Sequence, residues 1–286
     1  MRWASSLVAA SLALALGAAG PGDGLRGRRG CVLVADLRAG GRYVESSAGL
    51  HRKAFPPGSV FKVATALALA REGRPGRSLC TGRYRDRGRT LRCVQEDGHG
   101  PVGLEGALAR SCNFYFRERG AVDREAVLAA GLELGLVRAE ALDALRSAPM
   151  EDLVVGLHPG LALTPEEMLE AAAGWAVRGA HGTWGAGGAD PARREGRAWG
   201  RVRRGLEACV SWGSCMAAGL PGLSAAGKTG TPVVPGGSGR TQGWFVGWAP
   251  ASSPTVAVVV FLERGRGADA AGVARETLSW YFRRSP

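Results

Sequence analysis

The chain has 286 residues, a formal charge of +12 and six cysteines, with few aromatic residues and many glycines. That length supplies one large domain or two small ones with ample material for a core, and no repeat of fixed period or long disordered tract interrupts it. The charge, mostly arginine, suits an anionic partner, but alone it does not separate nucleic acid, acidic lipid and anionic cell wall.

Met1-Arg2 leads into an apolar run from Trp3 to Ala19 that closes on small residues, the pattern of an export signal. Residues 1–19 are therefore expected to be a signal peptide or N-terminal anchor. Cleavage is preferred, because the run is short and Ala-rich for a span and Arg26, Arg28 and Arg29 follow on the exported side. Either outcome puts the folded part outside the cytoplasm, in the periplasm or on the outer face of the membrane, and removes nucleic acid as a partner. After a linker over 20–30, residues 31–37 predict a buried strand and 42–46 a second one, paired as a hairpin.

Pro56-Pro57-Gly58 ends at Ser59, and a helical run follows at once through Val60, Phe61 and Lys62 to Ala70. Ser59 thus lies on a first turn, where its N–H is unpaired and the helix dipole favours an anion. Lys62 stands one turn along the same face, as base if burial keeps it neutral, or as an ordinary surface lysine. Residues 74–100 read as a polar, basic loop region with a small hairpin. Helical patterning over 103–120 is interrupted by Ser111-Cys112-Asn113, a serine and an amide that can face one cleft from a turn. A helical region over 123–147 precedes Thr164-Pro165-Glu166-Glu167, a helix start with Thr as cap, running to about residue 177. Residues 179–205, with Arg193, Arg194, Arg197, Arg201, Arg203 and Arg204, read as an exposed basic surface.

The last third predicts three strands, over 225–234, 242–249 and 254–263, and a helix over 269–282. The third strand shows no alternation and is expected to be covered on both faces. On the first, Lys228 and Gly230 point one way and Thr229 and Thr231 the other, with Gly230 allowing a ligand close to the backbone. Strands at both ends and helices between imply an α/β fold: an α+β sandwich whose antiparallel sheet is formed from N- and C-terminal strands and flanked by helices, with a helical subdomain inserted over about 74–220.

None of the cysteines pairs closely with His in a zinc pattern, so no metal and no cofactor is expected. Cys80 with Cys93 and Cys209 with Cys215 are candidate disulfides, with free thiols the alternative. His99 and His158 read as loop or packing residues.

Ser59-x-x-Lys62 opening a helix, Ser111-x-Asn113, and Lys228-Thr229-Gly230 on a late strand, in that order, resemble the motif set of penicillin-binding proteins and serine β-lactamases. Phe55-Pro56-Pro57-Gly58, Gly98-His99-Gly100, Leu163-Thr164-Pro165 and the 244–250 strand are similar to the transpeptidase domain of penicillin-binding proteins. The resemblance covers about 31–282 and implies a β-lactamase/transpeptidase-like catalytic domain over 31–286. It implies Ser59 as acylated nucleophile, Lys62 as base, Ser111 as proton relay and Lys228 as a source of positive field. It further implies Asn113, Thr229, Gly230 and Thr231 as substrate-binding residues, with the oxyanion between the N–H groups of Ser59 and Thr231.

The implied activity is D,D-transpeptidation of peptidoglycan stem peptides, with β-lactams as inhibitors and no nucleic acid. A carboxypeptidase or β-lactamase of the same fold and a non-catalytic penicillin or peptidoglycan sensor are the alternatives, as is a basic protein binding wall polymer through residues 193–204. Glu166-Glu167-Met168-Leu169-Glu170 departs from the Glu-x-x-Leu-Asn of class A β-lactamases at its last position. The linker over 20–30 is too short for the extra N-terminal domain common in the family, which implies a bare catalytic domain placed by a membrane or envelope protein partner.

Overall fold

The computed structural model describes residues 20–73, 75–86, 89–120, 123–180, 191–234 and 239–284. The expected signal segment, 1–19, lies outside the described residues. Two N-terminal strands, β1 (Gly30–Asp36) and β2 (Arg42–Ser46), form the expected hairpin. A 3-10 turn over Gly58–Phe61 leads into α1 (Lys62–Arg71). Short strands follow, β3 (Arg77–Cys80), β4 (Arg83–Asp86), β5 (Arg89–Arg92) and β6 (Gly100–Gly103), with β3 paired to β6 around the β4–β5 hairpin.

The helical middle comprises α2 (Leu104–Ala109), α3 (Asn113–Gly120), α4 (Arg124–Glu133), α5 (Leu142–Arg146), α6 (Met150–Leu153), α7 (Pro165–Ala180) and α8 (Pro191–Ser211). The chain then returns through β7 (Ala226–Gly230), β8 (Gly243–Ala249), β9 (Val256–Leu262) and α9 (Gly267–Arg284).

One five-stranded antiparallel sheet joins both ends of the sequence, in the order β2-β1-β9-β8-β7. Every residue of β9 is buried, as its unbroken apolar run requires. Successive side chains alternate between two cores. Leu33, Val259, Phe261, Trp244 and Val246 share one with α1 and α7, while Val32, Val258, Val260 and Phe245 share the other with α9. Residues 20–29 also pack on the α9 side: Leu25 is buried there, and Thr277 Oγ1 donates to the Pro21 carbonyl at 2.8 Å.

The start of α7 is capped by Thr164 as expected, and the cap closes as a reciprocal capping box. Thr164 Oγ1 accepts from the Glu167 N–H at 3.1 Å, and Glu167 Oε2 accepts from the Thr164 N–H at 2.7 Å. Immediately before it, Leu163 and Phe55 exchange backbone hydrogen bonds of 3.0 and 2.8 Å, which ties the approach to Ser59 to α7.

Two expectations are corrected. Residues 191–205 are not exposed throughout but form most of α8, a helix whose inner stripe, Ala198, Trp199, Val202, Leu206 and Cys209, is buried at helical spacing. Its arginines take the outer face: Arg201 and Arg204 pair with Glu105, and Arg203 with Glu207. The side chain of Arg193 lies outside the described residues. Cys80 and Cys93 are separate buried thiols, whose sulfurs share a cluster within 4.8 Å with Cys112 and His99; Cys209 and Cys215 do form a disulfide.

If α8 is an integral core helix, Trp199→Ala removes a buried indole and is expected to cost about 3–5 kcal/mol in urea unfolding. Arg197→Ala on its exposed face should change stability by less than about 0.5 kcal/mol.

Candidate active site

Ser59 is the second residue of the 3-10 turn that feeds α1, so its N–H has no partner within the helix and its side chain remains partly exposed. The turn is held from several sides by backbone. Gly58 has φ of +53°, and a Cβ there would sit 3.0 Å from the Pro232 ring. At Gly156, φ of +81°, a Cβ would lie 2.0 Å from the Gly58 carbonyl oxygen. The Trp244 indole N–H donates to the Pro56 carbonyl at 2.9 Å.

Gly230 faces the same turn. A Cβ there would stand 2.3 Å from the Pro57 carbonyl oxygen and 3.1 Å from Val60. The glycine therefore serves contact between β7 and the Ser59 turn, where the sequence suggested room for a ligand. Its neighbours by alternation, Thr229 and Thr231, lie on the other side. Thr229 is buried, and its hydroxyl is 2.9 Å from that of Ser214; Thr231 is exposed, and its Oγ1 accepts from the Gly267 N–H at 2.9 Å. Ser214 gave no sequence signal, since a lone serine after a helix has no pattern of its own.

Lys62 and Lys228 are both fully buried. The Lys62 amine lies 2.8 Å from the Ser111 carbonyl, 3.2 Å from Ser111 Oγ and 2.5 Å from Asn113 Oδ1. Those three contacts bring the first and second motifs together, and among the described residues the amine has no hydrogen bond to Ser59. They fit a neutral amine: two N–H groups donate to the carbonyl and the amide oxygen, while the lone pair can accept from the Ser111 hydroxyl.

Burial pushes the Lys62 pKa down to about 7; negative charge at the nearby Cys93 and Cys112 sulfurs opposes this and the Arg117 charge adds to it. Lys228 is also pushed well down, first by burial and then by the charge of Lys62, and its amine donates to the Thr229 carbonyl at 3.0 Å.

Ser111 owes its position to the end of α2. The Cys112 N–H donates to the Ala107 carbonyl and the Ser111 N–H to that of Leu108, a paired closure that needs a left-handed residue at position 111. Ser111 adopts it with φ of +56°, where glycine is usual. The side chain is thereby swung onto Lys62, and Asn113 begins α3 on the same amine.

A family model described as "Penicillin binding protein transpeptidase domain" matches residues 31–122 and 196–279, more than half of the chain, and the chain belongs to that family. No curated protein matches it in sequence. Solved structures share its fold. The D,D-transpeptidase domain of a peptidoglycan glycosyltransferase from Eggerthella lenta superposes with a TM-score of 0.75 at 22% identity, over 92% of this chain and 79% of that one. PBP2 from Pseudomonas aeruginosa, solved with WCK 5153, gives 0.73 at 23% identity, over 92% and 75%. PBP2 from Helicobacter pylori, solved as a complex with MreC, gives 0.72 at 17% identity, over 92% and 62%.

The contact between β7 and the Ser59 turn can be tested with one glycine at the contact and one away from it. Gly230→Ala has no room for its methyl and is expected to lower stability by about 1–3 kcal/mol in thermal unfolding. Gly174→Ala, inside α7 with nothing within 4 Å of the new Cβ, should be neutral or raise stability by up to about 1 kcal/mol.

Proposed function

We propose that the chain is an acyl-serine D,D-transpeptidase acting on peptidoglycan stem peptides, with β-lactams as its inhibitors. The observation that carries this reading is the grip of the buried Lys62 amine on Ser111 and Asn113, within 3.2 Å of both. In this mechanism the Ser59 hydroxyl gives its proton to neutral Lys62 while its oxygen attacks the carbonyl of the terminal D-Ala-D-Ala bond. The oxyanion is received by the N–H groups of Ser59 and Thr231. Lys62 returns the proton through Ser111 to the departing amine as the C–N bond breaks, leaving an ester on Ser59. The amine of a second stem peptide then attacks that ester and releases the serine.

The other motif residues have matching roles. Asn113 uses its oxygen for Lys62, which leaves its amide N–H groups to donate to the substrate backbone. Thr231, with the Thr229–Ser214 hydroxyl pair beside it, receives the terminal carboxylate, and Lys228 supplies positive field when protonated. Gly230 keeps this strand against the Ser59 turn.

Hydrolysis by a class A β-lactamase route finds little support, because the acids of the 166–170 segment are engaged elsewhere. Glu167 is bound to Arg138 and the Thr164 cap, Glu170 pairs with Arg42, and Glu166 lies beside Arg52. A wall-polymer binder acting through the α8 arginines is disfavoured by the pairing of Arg201, Arg203 and Arg204.

We place the catalytic domain at 31–286, with 74–220 as its helical insertion, in an exported protein working on the outer side of the cytoplasmic membrane. The Helicobacter pylori relative was solved with a partner protein, and an envelope partner is proposed here for localisation. No described helix is long and apolar enough to cross a membrane.

Intact mass after exposure to benzylpenicillin tests the reading. Wild type should gain one penicilloyl group that persists for minutes, and Ser59→Ala none; a wild type that gains no mass excludes acyl-serine chemistry. The acylation rate should fall about tenfold per pH unit below a midpoint near 7, because protonated Lys62 cannot take the serine proton. A rate that is flat from pH 5 to 8 would remove Lys62 as base.

A further inference from the structure

We propose that Cys80, Cys93, His99 and Cys112 form a binding site for one zinc-class divalent ion, which fastens the 77–99 segment to the turn carrying Ser111 and Asn113. Their ligand atoms all lie within 4.8 Å of one another, although the four are scattered along the chain. The Cys93 sulfur is 3.8 Å from the Cys112 sulfur and 3.5 Å from His99 Nδ1. A tetrahedral ion with metal–sulfur bonds of about 2.3 Å and a metal–nitrogen bond of about 2.0 Å holds its ligands about 3.5–3.8 Å apart. Three thiolates and an imidazole form a closed, soft donor set, which suits zinc in a structural role and leaves no open position for a reacting water.

The surrounding backbone is built around this cluster. The Tyr115 N–H donates to the Cys112 sulfur at 3.5 Å, as the N–H groups around a metal-bound sulfur do. Gly82 and Gly98, with φ of +82° and +81°, let two loops cross in contact: a Cβ on Gly82 would lie 1.8 Å from the Glu96 carbonyl oxygen, and one on Gly98 2.1 Å from that of Cys80. The Cys93 N–H closes the crossing by donating to the Gly82 carbonyl at 2.7 Å.

The 77–99 segment has almost no core of its own. Among its described residues the buried ones are Ser78, Cys80, Gly82 and Cys93, while Leu79 and Val94 are exposed. A folded segment of this kind needs a staple, and a metal is one. Elsewhere the same chain closes a disulfide, Cys209–Cys215, yet these four groups stand as separate ligands. On binding, the thiols release their protons to solvent and the ion bridges the segment to Cys112, between Ser111 and Asn113.

The test uses the full chain, needs no penicillin, and so is independent of the acyl-serine reading. Elemental analysis of the purified protein is expected to give one zinc per chain, lost in Cys80→Ser. Cobalt(II) added to reduced, zinc-stripped wild type should produce the intense visible bands of a tetrahedral site and a sulfur-to-metal charge-transfer band, both displaced by zinc. Chelation should raise amide exchange over 80–99 and 112–115. The proposal is overturned if folded, reduced wild type holds no zinc and gives no cobalt bands. It is equally overturned if the native protein carries a Cys93–Cys112 disulfide, read as a loss of two hydrogens in a peptide mass map, and its reduction restores no metal binding.

Discussion

A lysine amine buried completely in a protein has two ways to avoid the cost of an unsolvated charge: it can find acceptors on every side, or it can give up its proton. Lys62 does part of each. Its amine is met by two acceptor-only oxygens and one hydroxyl, and burial still brings its pKa down to about 7. The arrangement requires the Ser111 turn to hold a left-handed serine and α3 to begin at Asn113, so the helical middle of the chain is organised around that nitrogen.

The opposite wall of the site is set by backbone contact rather than by side chains. β7 can press on the Ser59 turn only because position 230 has no Cβ, and the turn can fold only because positions 58 and 156 tolerate positive φ and close approach. The Trp244 indole, reaching from the neighbouring strand to the Pro56 carbonyl, fixes the same segment. The sheet, whose five strands come from both ends of the sequence, therefore determines where the serine stands relative to the strand that faces it.

Much of this was legible in the sequence, for identifiable reasons. The unbroken apolar run at 256–261 had to be covered on both faces, Thr164 before Pro165 and two acids had to start a helix, and the three short motifs picked out residues that the fold brings together. What escaped was tertiary or masked by composition. The apolar stripe of α8 was hidden by interleaved arginines, whose carboxylate partner Glu105 lies far away in the chain. His99 read as a loop residue because its proximity to three cysteines depends on two loops crossing at Gly82 and Gly98. The Ser214 contact with Thr229 and the Gly156 contact with Gly58 likewise exist only in three dimensions.

The proposed acyl-serine chemistry turns on the protonation of one amine. Protein labelled with carbon-13 at the lysine side chains, with Lys62→Arg to assign the resonance, can be titrated by NMR from pH 5 to 11. The Lys62 signal is expected to titrate near pH 7, well below the ordinary lysines of the same chain. A Lys62 that keeps its proton to pH 10 would contradict the account, since a permanently charged amine could not accept the proton of Ser59.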